Sequence, residues 1–306
     1  ALSIDTWVTD WLFLSGGYLY FDLNGEGAVR MTSMPVGSPV DKFWFIDTMD
    51  MDETSQVVNL GAFLVPLETL TLSLGLQAED TATSADGSLD RLAGSPALSL
   101  PVGVETDVDS ENYREELEVR FSGIPWTLLY ARGTFEQGNV DHYERELLLP
   151  AGIQELLRNT EEDRDKQTFR VGGTFSPCRV FSLNTYYQHS TRTTSYDHSI
   201  DENLAGSANA GYPAYITENQ FDKDEVSAKV VLRLTSWLRT AARYQHIRST
   251  TDVETDPIAS TRGSVTSGEF RSNRYSLNVV AAPGAKLLLS ATYAFEDTAN
   301  RIPSMD

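Results

Sequence analysis

The chain has 306 residues, with 24 Lys and Arg against 44 Asp and Glu and a formal charge of −20. That acidity argues against a nucleic-acid binder, because the basic patch that drives phosphate contact is missing. The single cysteine, Cys178, excludes an internal disulfide framework, a Cys-based zinc site and a C-x-x-C-H haem attachment, and no apolar run approaches the ~18–20 residues of a membrane-spanning helix.

In chain order, the sequence opens at Ala1 without a basic-then-apolar leader, as expected of a mature or excised product. A first strand is expected near Trp11–Leu23, and Phe43-Trp44-Phe45-Ile46 either joins a further strand or packs in a loop. A unit of about fifty to sixty residues then repeats. Each unit holds an alternating stretch, a tight turn, a second alternating stretch and a long polar segment. The turns fall at Val65-Pro66-Leu67-Glu68, Gly123-Ile124-Pro125-Trp126, Ser176-Pro177-Cys178-Arg179, Thr235-Ser236-Trp237 and Ala282-Pro283-Gly284-Ala285. Four of the five contain proline, which fixes φ and cannot donate to a ladder. The segments between, Asp80–Tyr113, Gly138–Lys166, Arg192–Asp224 and Thr251–Arg271, read as long loops. Within one of them Pro150–Arg158 reads as a short helix started by proline. The count is eleven strands, an odd number, so the expectation is one barrel domain over 1–306 that forms part of a larger barrel.

The alternation decides the fold class. From Thr69 to Glu79 one face reads Leu70, Leu72, Leu74, Leu76, Ala78 and the other Thr69, Thr71, Ser73, Gly75, Gln77, Glu79. The same pattern recurs at Thr168–Phe175, Glu225–Leu234 and Leu287–Glu296. Successive strand side chains point to opposite faces, so each strand has an apolar and a polar wall. A soluble sandwich would turn the apolar wall inward onto a packed core, and a transmembrane barrel would turn it outward onto lipid. Short turns opposite long segments, aromatics near strand ends and a polar wall of small, hydroxyl and charged residues favour the second. The expected fold is all-β, an antiparallel transmembrane β-barrel in a bacterial outer membrane, with lipid as its surroundings.

On that reading, Arg120, Arg132, Arg170, Lys229, Arg233, Arg239 and Arg243 fall on the lumen phase, opposed by Glu116, Glu118, Glu136 and Glu225. Such charge either selects ions or holds a plug, or it pairs across strands and stiffens the wall. Trp126, Phe181, Tyr187, Trp237, Tyr244 and Tyr293 fit an interfacial aromatic girdle. His142, His189, His198 and His246 lack H-x-x-H or H-E-x-x-H spacing, and no G-x-S-x-G elbow exists, so no catalytic and no metal residues are expected. Glu161-Glu162-Asp163-Arg164-Asp165 and Glu105/Asp107/Asp109/Glu111 read as solvated charge, without EF-hand spacing.

The hairpins Phe121–Leu128, Phe175–Tyr187 and Leu234–Tyr244 share a Pro- or Trp-marked turn followed by a Leu/Ala/Tyr strand. This cadence resembles that of the outer-membrane barrels of porin–cytochrome electron conduits, the barrels that accompany decahaem cytochromes. The resemblance implies a barrel of more than twenty strands with no redox group of its own. It would sheathe a multihaem c-type cytochrome, with haem present only through that partner. A general or substrate-specific diffusion porin, or a soluble or surface-displayed β protein, are the alternatives left by the residues themselves.

Overall fold

The computed structural model describes residues 1–33, 42–93, 98–149, 151–203, 216–255, 267–284 and 287–302. They form twelve strands: β1 (Leu2–Thr9), β2 (Leu12–Ser33), β3 (Lys42–Leu67), β4 (Leu70–Ala93), β5 (Leu98–Ile124), β6 (Thr127–Leu148), β7 (Ile153–Phe175), β8 (Phe181–Asn203), β9 (Ile216–Arg233), β10 (Leu238–Thr255), β11 (Ser267–Gly284) and β12 (Leu287–Arg301). All lie in one sheet in chain order, each antiparallel to the next. Among the described residues there is no helix. The all-β antiparallel class read from period-two alternation is the class of the fold.

Four expectations need correction. The described residues form twelve strands, not eleven, because Leu2–Thr9 pairs with β2 ahead of Trp11, from Leu2↔Tyr18 to Thr9↔Leu12. Only eight residues long, β1 is too short to stand out by alternation alone. Second, the polar segments are mostly not loops. Asp80 to Ala93 continues β4 and Leu98 to Tyr113 opens β5, paired throughout from Asp80↔Glu111 to Ala93↔Leu98. Alternation of charged with hydroxyl residues satisfies the pleat as well as apolar alternation does, so the ladder runs far past the apolar band. His142 and His198 therefore stand in β6 and β8. Third, Pro150 lies outside the described residues and Ile153–Arg158 is strand: Gly152, at φ 65°, turns the chain, and its N–H donates to the Leu148 carbonyl at 2.9 Å. Only a residue without Cβ accepts that φ at no cost. Fourth, the first predicted turn is displaced: residues 68 and 69 make it, and Pro66 sits in β3 where the register slips between Leu64 and Leu67. Phe43–Ile46 lie in β3, and Ala285 lies outside the described residues.

Among the described residues the sheet has no packed core: Val102 and Leu156 are the buried hydrophobic residues, whereas Leu14, Leu60, Leu74, Leu117, Leu129, Val171, Val226, Leu277 and Leu289 are all exposed. Register puts these exposed residues on one face, as in the row Leu14↔Ala62↔Leu74↔Leu117↔Gly133. Among the described residues β1 pairs only with β2 and β12 only with β11. The chain runs towards the turns in β1 and away from them in β12.

Candidate functional site

Register also decides which charges share a wall. Glu118, Arg132, Arg170, Gln188, Glu225, Ile247 and Ser272 form one continuous cross-strand row on the face opposite the leucines. The neighbouring rows carry Glu116 with Thr134 and Thr168, and Arg120 with Tyr130, Gly172 and Tyr186. Lys229 faces Arg243 and Arg233 faces Arg239. All eleven charged residues assigned to the lumen phase thus occupy one face.

That wall divides into two parts. Over β5–β7 the charges interlock: Glu116 takes Arg132 at 2.5 Å and Arg114 at 3.4 Å, and Glu136 takes Lys166 at 2.7 Å and Arg114 at 3.8 Å. Arg120 pairs with Glu118. Arg170 donates to Gln188 and lies 4.7 Å above the Tyr186 ring, a cation–π arrangement. A second node forms on β8–β10 around Glu225, which is only 6 % exposed. It accepts from Tyr186 Oη at 2.5 Å, Gln245 Nε2 at 2.7 Å and Lys223 Nζ at 2.9 Å. Arg243 donates to Ser227 Oγ at 3.2 Å and Tyr186 Oη at 3.1 Å. Arg274 and Ser272 hold Glu296, each at 2.8 Å. Sequence reasoning missed Lys166, Lys223 and Arg274 as wall residues, although each sits on the same alternation phase. Nothing in one strand says which neighbour answers it.

Towards the turns the wall changes. The side chains of Lys229, Arg233 and Arg239 have no hydrogen-bond or ion-pair partner among the described residues. Gly172 explains a further feature of the wall. A Cβ there would stand 2.6 Å from the Thr185 carbonyl oxygen and 2.6 Å from Tyr130 Oη, so its lack of a side chain makes room for Tyr130 between the strands.

The six aromatics do not make one belt. Trp126, Phe181 and Trp237 stand at or beside the turns, whereas Tyr187 and Tyr244 stand near the far edge of the apolar band. Tyr293 shares a row with Leu277, one row nearer the turns than Tyr244 and Tyr275. Trp126 holds φ 61°, a conformation a bulky residue rarely adopts, directly after Pro125. The far edge is marked by hydrogen bonds: Tyr187 Oη donates to Asp224 at 2.6 Å, with His189 Nδ1 at 3.0 Å from the same carboxylate. Beside it Tyr244 Oη donates to Asn273 at 3.0 Å, and His246 Nδ1 lies 2.9 Å from the same oxygen. Trp237 to His246 is nine residues, about 30 Å along the strand and about 23 Å high at a tilt near 40°. Among the described residues no three His, Cys, Asp or Glu side chains are grouped to hold a metal ion. Cys178 is exposed in the β7–β8 turn.

No family model and no curated protein matches the chain. Among solved structures it is similar to the β domain of the Bordetella autotransporter Brka, at TM-score 0.36 and 11 % identity over 94 % of this chain and 98 % of that one. It is similar to the translocator domain of the autotransporter NalP from Neisseria meningitidis, at TM-score 0.32 and 11 % identity over 95 % and 85 %. It is also similar to the siderophore receptor PiuA from Acinetobacter baumannii, at TM-score 0.37 and 10 % identity over 97 % and 63 %. What this chain does is therefore read from its own residues.

Proposed function

We propose that the chain forms the wall of an outer-membrane β-barrel, with its leucine face on lipid and its charged face on a wet interior, and that it carries no chemistry of its own. One observation supports this most: the described residues form a sheet with a continuous exposed apolar face and almost no buried apolar residue, and none of them covers that face. Lipid is the solvent that suits it, and lipid accepts a sheet only when the sheet closes on itself. The free edges of β1 and β12 run antiparallel, so they can meet directly or across an even number of further strands. Refolding into vesicles of brominated lipid tests the membrane reading. Quenching of Trp126 and Trp237 by bromine near the headgroups is expected, and a folded, unquenched monomer in plain buffer would overturn it.

The contents of the interior are a finer proposal. On the turn-and-strand cadence, the cargo is a multihaem c-type cytochrome, and haem comes only with it. The barrel reconstituted in liposomes separates this from a diffusion porin. Electron transfer that requires an added multihaem partner supports the sheath, and solute flux without any partner supports the porin.

A further inference from the structure

We propose that Lys229, Arg233, Arg239 and Arg243 form a binding site for phosphate-type oxyanions on the polar face, at the turn end of β9 and β10. The assignment rests on the polar face being the wet interior. The four cations stand as two directly opposed couples, Lys229 with Arg243 and Arg233 with Arg239. Cross-strand partners are about 5 Å apart, and like charges placed so destabilise a sheet. Along each strand the couples are four residues, about 14 Å, apart. Among the described residues no carboxylate pairs with the side chains of Lys229, Arg233 or Arg239, and Arg243 reaches Glu225 only through Tyr186 Oη. Residues 226–250 contain no Asp or Glu, nor do 174–190 or 270–295, in a chain whose net charge is −20. Glu225 and Glu296 on this face are already engaged, Glu225 by Tyr186, Gln245 and Lys223 and Glu296 by Arg274 and Ser272.

An outside anion would relieve the repulsion. Between the couples the floor is small, Val231 opposite Ala241, and the flanking strands offer Ser182 and Asn278 in that row and Asn184 and Ser276 in the next. Hydroxyl and amide donors beside guanidinium forks suit a tetrahedral oxyanion, whose paired oxygens an arginine binds in bidentate fashion, better than a chloride ion. A lipid headgroup is badly placed, because Val230, Leu232 and Leu238 occupy the opposite face on the same strands. The ligand is therefore a free phosphate or a small phosphate ester from the aqueous interior.

The test uses the full chain in detergent micelles, its fold verified by β-sheet circular dichroism, titrated calorimetrically with inorganic phosphate and with glycerol phosphate at matched ionic strength in chloride. Saturable binding is expected, weakened at least tenfold in Arg233→Gln and in Arg239→Gln and unchanged in Arg132→Gln, which lies in the interlocked half. Phosphate should also raise the unfolding midpoint of the native chain. Arg239→Gln, relieved of its facing like charge, should fold at least as stably and lose the phosphate response. Binding of the ester but not of the free ion would name the ligand source. A folded protein with a flat titration, or binding that survives loss of both Arg233 and Arg239, would overturn the site while leaving the membrane reading intact. Failure to insert into vesicles would count against the membrane reading instead.

Discussion

Leu74 offers the sharpest test of which face meets lipid. It lies mid-way along the apolar run Leu70–Ala78, is 46 % exposed, and has Ala62 and Leu117 as its same-face neighbours. Its chain neighbour Ser73 points to the other wall, between Phe63 and Glu118. An arginine at the lipid midplane costs about 2–4 kcal/mol and one near an interface about 0–1. Leu74→Arg should therefore shift the folding equilibrium roughly thirty- to seven-hundred-fold, at about 1.4 kcal/mol per factor of ten. Ser73→Arg gains Glu118 as a neighbour and should be close to neutral. Ala78→Arg, about 14 Å further along the strand, should fall between them. Leu74→Ala leaves no cavity against lipid, so its cost should stay well below the about 2–5 kcal/mol of a core Leu→Ala change. Urea unfolding from lipid vesicles, followed by tryptophan fluorescence, measures all four variants. Equal losses for Leu74→Arg and Ser73→Arg, or a full core penalty for Leu74→Ala, would refute the orientation.

Glu225→Gln should lower stability by about 1–3 kcal/mol, since it removes the charged acceptor shared by Tyr186, Gln245 and Lys223; the same unfolding assay reads it. Gly172→Ala should cost about 1–3 kcal/mol by forcing apart Tyr130 and the Thr185 carbonyl. Topology can be read with the native thiol: a membrane-impermeant maleimide should reach Cys178 only after the outer membrane is permeabilised, whereas Ala151→Cys, in a chain with Cys178→Ser, should label on intact cells. The reverse labelling would invert the barrel. Beyond the apolar band, hydrogen bonding from Arg271, with Arg248 beside it, holds the Glu269 carboxyl below its usual range. The stability this lends the β10–β11 ribbon is present above the ordinary carboxylate range and is lost as pH falls through the lowered value. Amide protection factors across 267–272, which remove the intrinsic slowing of exchange at lower pH, should fall on acidification, and Glu269→Gln should abolish that dependence.

Much of the molecule is legible in one dimension because strand geometry is local. Side chains alternate with period two, so Leu70/Leu72/Leu74/Leu76 and Ser73/Gly75/Gln77 separate onto opposite faces whatever the neighbouring strands do. Proline and the polar turn residues mark most of the reversals for the same reason, since they act on their own φ and their own N–H. The alternation of Arg170, Lys229 and Arg243 placed each on the charged wall. Tertiary structure alone decided the rest. A ladder has no composition requirement, so the acidic stretches Asp80–Ala93 and Leu98–Tyr113 could be loop or strand until their register paired them. Whether a charge is answered depends on the residues opposite and diagonal to it, which register chooses: Glu116 meets Arg132 across the diagonal, while Arg233 faces Arg239. Pairing lies between strands, and a single strand's sequence does not contain its partner's.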